Sequence, residues 1–298
     1  MSRVLVLGAS GMLGNSVYKE FRESGLEVTG TKRNPVEPQD SEFKEFEVAN
    51  NFRNFLDENL SNYDYVINCI GLIPHKFSSD DSQNLSSAII VNSIFPNVLA
   101  EIASKFDCRV IQIATDCVFS GLEGNYSEES RPDPKDTYGV TKLCGEISAP
   151  NVMNIRCSVI GLEEESAFSL LSWFLSRPKN TQVNGYTNQI WNGITSLAFA
   201  KIVKSIIQKN SFAAGTQHLI PSDSISKYEL IKLFAVYGDR SDLDIQKWGG
   251  APDVDRTLIT IDPVVNEMMW KTAGYSNVPL IEEMIAELFH NSKEGEAK

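Results

Sequence analysis

The chain has 298 residues, of which 42% are hydrophobic and 22% charged. That balance suits one large folded domain or two intimate ones and argues against disorder. Its 27 Lys and Arg stand against 39 Asp and Glu, a formal net charge of −12. Duplex nucleic acid and anionic membranes are poor partners for such a chain, because both need a cationic face, whereas a small phosphate ligand needs only a local basic spot. No stretch reads as a membrane span of about 18 apolar residues, and the apolar run 4–7 is shorter than the roughly 7–15 residues of a signal segment. Five scattered cysteines with no CxxC suit reduced thiols in a cytoplasm. The three histidines (75, 218 and 290) are far apart, so no metal site is expected.

Strand and helix alternate along the first half. Residues 3–7 form an apolar run that ends at Gly8. Leu13, Val17 and Phe21 then recur at i, i+4 and i+8, predicting an amphipathic helix that stops near Gly25. Residues 27–31 and 63–68 read as the next strands, the latter followed by Gly71 and a loop with Pro74. Ile89, Asn92, Pro96, Leu99 and Ala103 keep helical spacing, with a kink expected at Pro96. Residues 109–114 are a fourth strand, 137–147 a helix and 152–157 a fifth strand. Strands separated by helices build a parallel sheet covered on both faces. Beyond Gly161 the pattern loosens. Residues 166–176, 197–208, 226–237 and 280–289 read as helices, and 216–220 and 242–247 as short strands.

Gly8-Ala9-Ser10-Gly11-Met12-Leu13-Gly14 follows the first strand directly and opens the first helix. Glycines at this spacing let the backbone turn tightly and approach a pyrophosphate, and the helix start supplies free N–H groups. The expected fold is therefore α/β: a doubly wound parallel sheet of Rossmann type from residues 1–160 and 186–210, with a smaller α/β substrate-binding cap from 161–185 and 211–298. The second strand runs into Lys32-Arg33, where an NAD site would carry an acid for the ribose 2′-hydroxyl. Two cations there favour NADP(H) over NAD(H).

Tyr138-Gly139-Val140-Thr141-Lys142 puts a phenol and an ammonium on one helix face. A cation beside a tyrosine lowers its pKa and lets it exchange a proton with a carbonyl oxygen. The spacing alone is weak, since Tyr228 and Lys232 repeat it. Only the first copy follows a strand whose carboxyl end carries a hydroxyl, Thr115, at the ligand face of the sheet.

Together these segments resemble an extended short-chain dehydrogenase/reductase, and within it the dTDP-4-dehydrorhamnose reductase branch of nucleotide-sugar enzymes. The likeness is carried by residues 114–121 (ATDCVFSG), Tyr126-x-Glu128, residues 138–146 (YGVTKLCGE), Val91-Asn92 with Pro96, and residues 154–161 (NIRCSVIG). It is good over the first 160 residues and weak beyond them.

The resemblance implies roles. Tyr138 would be the general acid, Lys142 would hold the nicotinamide ribose and depress the Tyr138 pKa, and Thr115 would fix the substrate ketone. Gly8, Ser10, Gly11, Met12 and Gly14 would cradle phosphates. Val48 would line the adenine, Cys69, Ile70 and Gly71 would lie under its ribose, Ser158 would lie near the nicotinamide, and Asn92 would support the site. Asp116, Cys117, Trp191, Asn192, Arg256 and the loop residue His75 are candidates for the substrate, a nucleotide sugar.

Cys117 stands where close relatives carry tyrosine and where dehydratases carry glutamate, and no cation adjacent in sequence would activate its thiol. No metal ligand set is recognisable. Glu163-Glu164-Glu165 reads as the acidic first turn of a helix. The activity implied is NADPH-dependent reduction of a 4-keto-6-deoxy sugar for surface polysaccharide, in a cytoplasmic protein that could be a homodimer. The alternatives are an epimerase with tightly held NAD(P) and a non-catalytic NADP-binding subunit.

Overall fold

The computed structural model describes residues 2–34, 42–73, 82–163 and 169–296. Its centre is a parallel sheet in the order β11-β6-β5-β4-β1-β2-β3. The strands are β1 (Arg3–Leu7), β2 (Glu27–Lys32), β3 (Phe43–Glu45), β4 (Tyr65–Asn68), β5 (Arg109–Ile113), β6 (Val152–Arg156) and β11 (Gly215–His218). The chain moves outward from β1 to β3, then restarts on the other side of β1 with β4. The crevice at the carboxyl ends of β1 and β4 is thus a topological switch point, where such sheets bind ligands.

In β1 the side chains alternate between faces, and both faces are buried. Val4 and Val6 join the core under helices α1 (Met12–Glu23) and α7 (Ser196–Gln208). Leu5 and Leu7 join the core under α2 (Phe52–Asn59) and α4 (Phe95–Lys105). This is why the run reads as continuously apolar.

β3 escaped the sequence reading because it is a three-residue edge strand that is only partly buried. β11 falls in the segment assigned by sequence to the cap, yet it pairs with β6 in the large sheet from Gly215↔Met153 to His218↔Arg156. Its Gly-Thr-Gln-His composition suits an edge and carries no apolar signature.

The stretch around Pro96 is not simply kinked. Helix α3 (Ser82–Ile89) passes through a π-helical turn, Ile90–Ile94, into α4. Pro96 has no N–H to give, and the wider turn absorbs that loss. Taken by composition, Leu85–Lys105 is long and apolar enough to cross a bilayer. Here its inward face, including Phe95, Leu99, Ile102 and Ala103, is fully buried on the sheet. Helix α5 (Thr137–Leu143) stops earlier than the expected residue 147. A Cβ on Gly145 would meet the Asn92 carbonyl at 2.0 Å, so the chain turns away there against the π turn.

The remaining elements are short strands and helices over the strand ends. They comprise β7 (Val159–Ile160), α6 (Leu170–Leu175), β8 (Gln182–Tyr186), β9 (Gln189–Trp191), β10 (Ile194–Thr195), β12 (Ile225–Ser226), α8 (Lys227–Tyr237), β13 (Asp244–Trp248) and β14 (Val254–Asp255). Two further helices, α9 (Pro263–Thr272) and α10 (Ile281–Glu296), pack Trp270, Ile281 and Ile285 into the α1 side of the core.

A buried ionic chain ties the end of α5 to the sheet and to the far segment. Arg156 grips Glu146 with two hydrogen bonds of 2.8 and 2.6 Å, and both side chains are under 10% exposed. The other edge of the guanidinium donates to His218 Nε2 at 3.3 Å. His218 Nδ1 must therefore carry the ring proton, which it gives to the Ile259 carbonyl at 2.7 Å. Glu128 accepts from the His218 and Ile261 backbone N–H groups and from Thr260. Replacing Arg156 with Met strands a buried carboxylate and is expected to cost about 3–5 kcal/mol in denaturant unfolding, with Glu146→Gln restoring part of the loss.

Burial holds the His218 imidazole below its ordinary value of 6.5. The native state thus resists a proton that the unfolded chain accepts, and the stabilisation is complete above that value and lost as pH falls below it. Between about pH 6.5 and about pH 5 the Tm is expected to fall more steeply for wild type than for His218→Gln.

Candidate active site

The glycine turn is built for close approach. Gly8 leaves β1 at φ +79°, a conformation that favours glycine. Its N–H donates to Thr31 Oγ1 at 2.9 Å, and Gly11 N–H donates back to the Gly8 carbonyl at 3.0 Å. A Cβ on Gly14 would stand 2.1 Å from the Gly8 oxygen, so α1 rests directly on the turn. Gly11 caps α1 without a side chain, leaving first-turn N–H groups for an anion.

Beside this turn lies a cleft of about 330 Å³. Gly8, Ser10, Gly11, Lys32, Arg33, Val48, Cys69, Ile70 and Gly71 all line it, from four separate stretches of chain. Phe46, Glu47, Leu72, Ile90 and Val91 complete the wall. These were missed because their hydrophobic members look like ordinary core. Lys32 lies over the Phe43 ring at 4.7 Å, close to the mouth. Met12 and Gly14 do not line the cleft. Met12 faces the position of Gly161, and Gly14 serves the close contact of helix and turn.

Asn92 is also behind the wall rather than in it. Its buried amide accepts the Leu72 N–H at 2.8 Å and donates to the Leu72 carbonyl at 3.0 Å. It also donates to Thr141 Oγ1 at 3.1 Å. One side chain from the π turn thereby fixes both the loop after β4 and helix α5.

Thr115 lies two residues past the end of β5 and caps the short turn Asp116–Val118, accepting the Cys117 N–H at 3.2 Å. Its hydroxyl is near enough to the Tyr138 phenol to act on its ionisation. Burial pushes that phenol above its ordinary range, the thiol of Cys117 adds to the rise and the Thr115 hydroxyl opposes it. Lys142 is not among the main influences on it. The Lys142 ammonium is 5% exposed and turned to the Ile113 carbonyl, at 2.7 Å. Burial pulls Lys142 down to about 8, with Glu146, Cys69 and Cys157 holding it up.

Asp116 accepts from the Thr115 hydroxyl at 3.2 Å. Burial raises its carboxyl, while Arg256 and Lys227 oppose the rise. Cys117 does have a cation beside it. Arg256 reaches its sulfur at 3.9 Å from a position 139 residues along the chain, too remote for sequence to reveal. Burial still drives the thiol up to about 12, which favours the protonated form. Arg256 also donates to the Phe119 carbonyl at 3.0 Å.

Two other substrate candidates have different employment. Trp191 is 4% exposed and donates its indole N–H to Ser158 Oγ at 2.8 Å, which occupies Ser158 as well. Asn192 spends its amide on the Leu258 backbone, donating to the carbonyl at 2.7 Å and accepting the N–H at 3.0 Å. His75 lies outside the described residues, as do Glu164 and Glu165. Glu163 accepts the Ser169 N–H at 2.9 Å ahead of α6. The second tyrosine–lysine pair is a ring contact on α8, with Lys232 over Tyr228 at 5.5 Å. Among the described residues no cluster of three metal-ligating side chains occurs.

Sequence reasoning overlooked Lys227, at the start of α8. It lines a second cavity of about 690 Å³ together with Trp173, Arg177, Tyr186 and Gln189. Its charge also acts on Asp116.

The sequence model of the family described as RmlD substrate binding domain matches residues 2–240. The chain belongs to that family. Among characterised relatives, methionine adenosyltransferase 2 subunit beta of Xenopus laevis is 32% identical over 151 residues, 48% of this chain and 41% of that one. The probable low-salt glycan biosynthesis reductase Agl14 of Haloferax volcanii is 30% identical over 164 residues, 52% of each. The chain thus spans about half the length of these relatives. The solved dTDP-4-dehydrorhamnose reductase of Bacillus anthracis, in complex with NADP, has a TM-score of 0.74 at 17% identity, covering 97% of this chain and 98% of that one. That likeness is one of fold.

In this RmlD-family chain, Asn92→Ala is expected to leave the Leu72 N–H and carbonyl without partners. The loss should be about 1–3 kcal/mol of stability, with faster hydrogen exchange at the Leu72 amide as its local signature.

Proposed function

We propose that the protein is an NADP(H)-dependent reductase of a nucleotide-linked 4-keto-6-deoxy sugar, working in the cytoplasm and making a deoxyhexose donor for surface polysaccharide. The observation that carries the reading is the grouping of Thr115, Tyr138 and Lys142 just past the carboxyl end of β5, with Cys69 of the cleft wall near Lys142. The cleft residues fit a dinucleotide: the uncapped start of α1 suits a pyrophosphate and the Gly8–Gly14 contact admits no Cβ. Lys32 and Arg33 at the mouth favour a 2′-phosphate, and the Bacillus anthracis enzyme is described with NADP.

When bound, the coenzyme would supply the hydride to the keto carbon. Tyr138 would give its proton to the oxygen as negative charge develops there. Its raised pKa keeps it protonated at neutral pH, which suits the donor role. Thr115 would hold the same oxygen by a hydrogen bond, and the Lys142 ammonium would stabilise the charge in a site that excludes water. The cavity beyond, with Trp173, Tyr186, Arg177 and Lys227, offers flat faces and cations for the nucleotide.

Purified protein, NADPH and a panel of 4-keto nucleotide sugars are expected to show NADPH oxidation by absorbance. Tyr138→Phe should lower turnover by about 10²–10⁴-fold while still binding NADPH. Turnover on no member of the panel, with NADPH bound, would refute the reading.

The likeness to methionine adenosyltransferase 2 subunit beta favours one second reading, a cofactor-binding regulatory subunit. Full biological function in a Tyr138→Phe strain would decide for it. NAD(P) retained through purification, with no net NADPH use, would point to an epimerase instead.

A further inference from the structure

Lys227 lines the second cavity, and its charge reaches Asp116 beside Thr115. It is the first residue of α8, whose start is fixed by a capping box: Ser226 Oγ accepts the Glu229 N–H at 3.2 Å, and the Glu229 carboxylate accepts the Ser226 N–H at 2.8 Å. Its ammonium lies 5.1 Å from the centre of the Trp191 ring, and Trp191 is anchored in turn on Ser158. Among the described residues that ring is its close contact, with no hydrogen bond or ion pair to the ammonium. Three N–H donors are therefore unspent on a group that also lines the cap cavity.

The charges of Asp116, Cys117 and Arg256 also act on it. Two cations thus act on one carboxylate, in a chain whose net charge is −12. Burial pulls the Lys227 ammonium down to about 8, Asp116 and Cys117 hold it up and Arg256 opposes them, so it keeps its charge at neutral pH. A second cation on the same cavity wall, Arg177, lies over the Trp173 ring at 5.0 Å with its buried Nε–H unpartnered. Cations stacked on rings with unspent donors make a wall suited to an anionic ligand.

We propose that Lys227 is a specificity-determining residue that selects substrates by their diphosphate, its ammonium binding the diphosphate oxygens where the ligand passes from the cap cavity to the Thr115–Tyr138 centre. The assignment rests on the nucleotide-sugar reading above. A neutral sugar or a bare nucleoside can offer this ammonium only uncharged acceptors, whereas a diphosphate accepts its donors with negative charge and offsets the two cations that act on Asp116.

The test is calorimetric titration of the full-length, NADPH-loaded protein with UDP, dTDP, uridine and thymidine, in wild type, Lys227→Met and Lys227→Arg. Methionine keeps the packing of the stem against Trp191 and removes the charge. Lys227→Met is expected to weaken diphosphate binding by about 10- to 100-fold. Nucleoside and NADPH binding should stay unchanged, and Lys227→Arg should retain most of the diphosphate affinity. Equal diphosphate affinity in wild type and Lys227→Met overturns the assignment and leaves the reductase reading standing. Nucleoside affinity that falls in parallel also overturns it, since the side chain would then be shaping the cavity. A wild type that binds neither diphosphate overturns the assignment and the nucleotide-sugar reading together.

Discussion

A buried ammonium must be solvated by the protein, and Lys142 meets that need at the Ile113 carbonyl. The bond ties the last turn of α5 to the last residue of β5. Because Tyr138 is one turn earlier on the same helix, the tie also sets the phenol beside Thr115 just past the end of that strand. The opposing burial effects on the pair follow from the same packing. A neutral phenol gains from a dry site and holds its proton, while an ammonium loses and approaches neutrality. Exclusion of water is thus the largest influence on both groups.

Around this tie, much of the stiffness comes from places where backbone meets backbone without an intervening side chain. Gly14 lets α1 rest on the Gly8 carbonyl, and Gly145 lets the end of α5 rest on the Asn92 carbonyl. The π turn that Pro96 follows presents Asn92 to two targets at once, the Leu72 backbone and Thr141. The cleft wall and the catalytic helix are therefore held by one amide. The Glu146–Arg156–His218 chain extends the same support outward to residue 259.

Charge is distributed against the average. Most of the acidic excess is spread over the surface, while Lys32 and Arg33 lie at the cleft, and Arg177, Lys227 and Arg256 lie at the cap side. Such local cations within an acidic chain favour small phosphorylated ligands over polyanions, which would meet the rest of the surface as well.

The local grammar of this chain was legible without coordinates. Apolar runs ending in glycine, helical stripes and the Gly-x-x-Gly-x-x-Gly turn are short-range patterns, set by backbone sterics and by which face must be buried. From them followed the parallel sheet and the glycine turn and cations at the cleft, while Val48 and Cys69–Gly71 came from the family resemblance. What needed tertiary structure was contact between residues far apart in sequence. Arg256 reaches Cys117, Gly215–His218 leaves the cap segment to join the sheet, Asn192 is absorbed by Leu258, and the charge of Lys227 acts on Asp116. No periodicity encodes these pairings. They arise only when separate elements pack, and it is that packing that decides which polar groups are spent on the protein and which remain for a ligand.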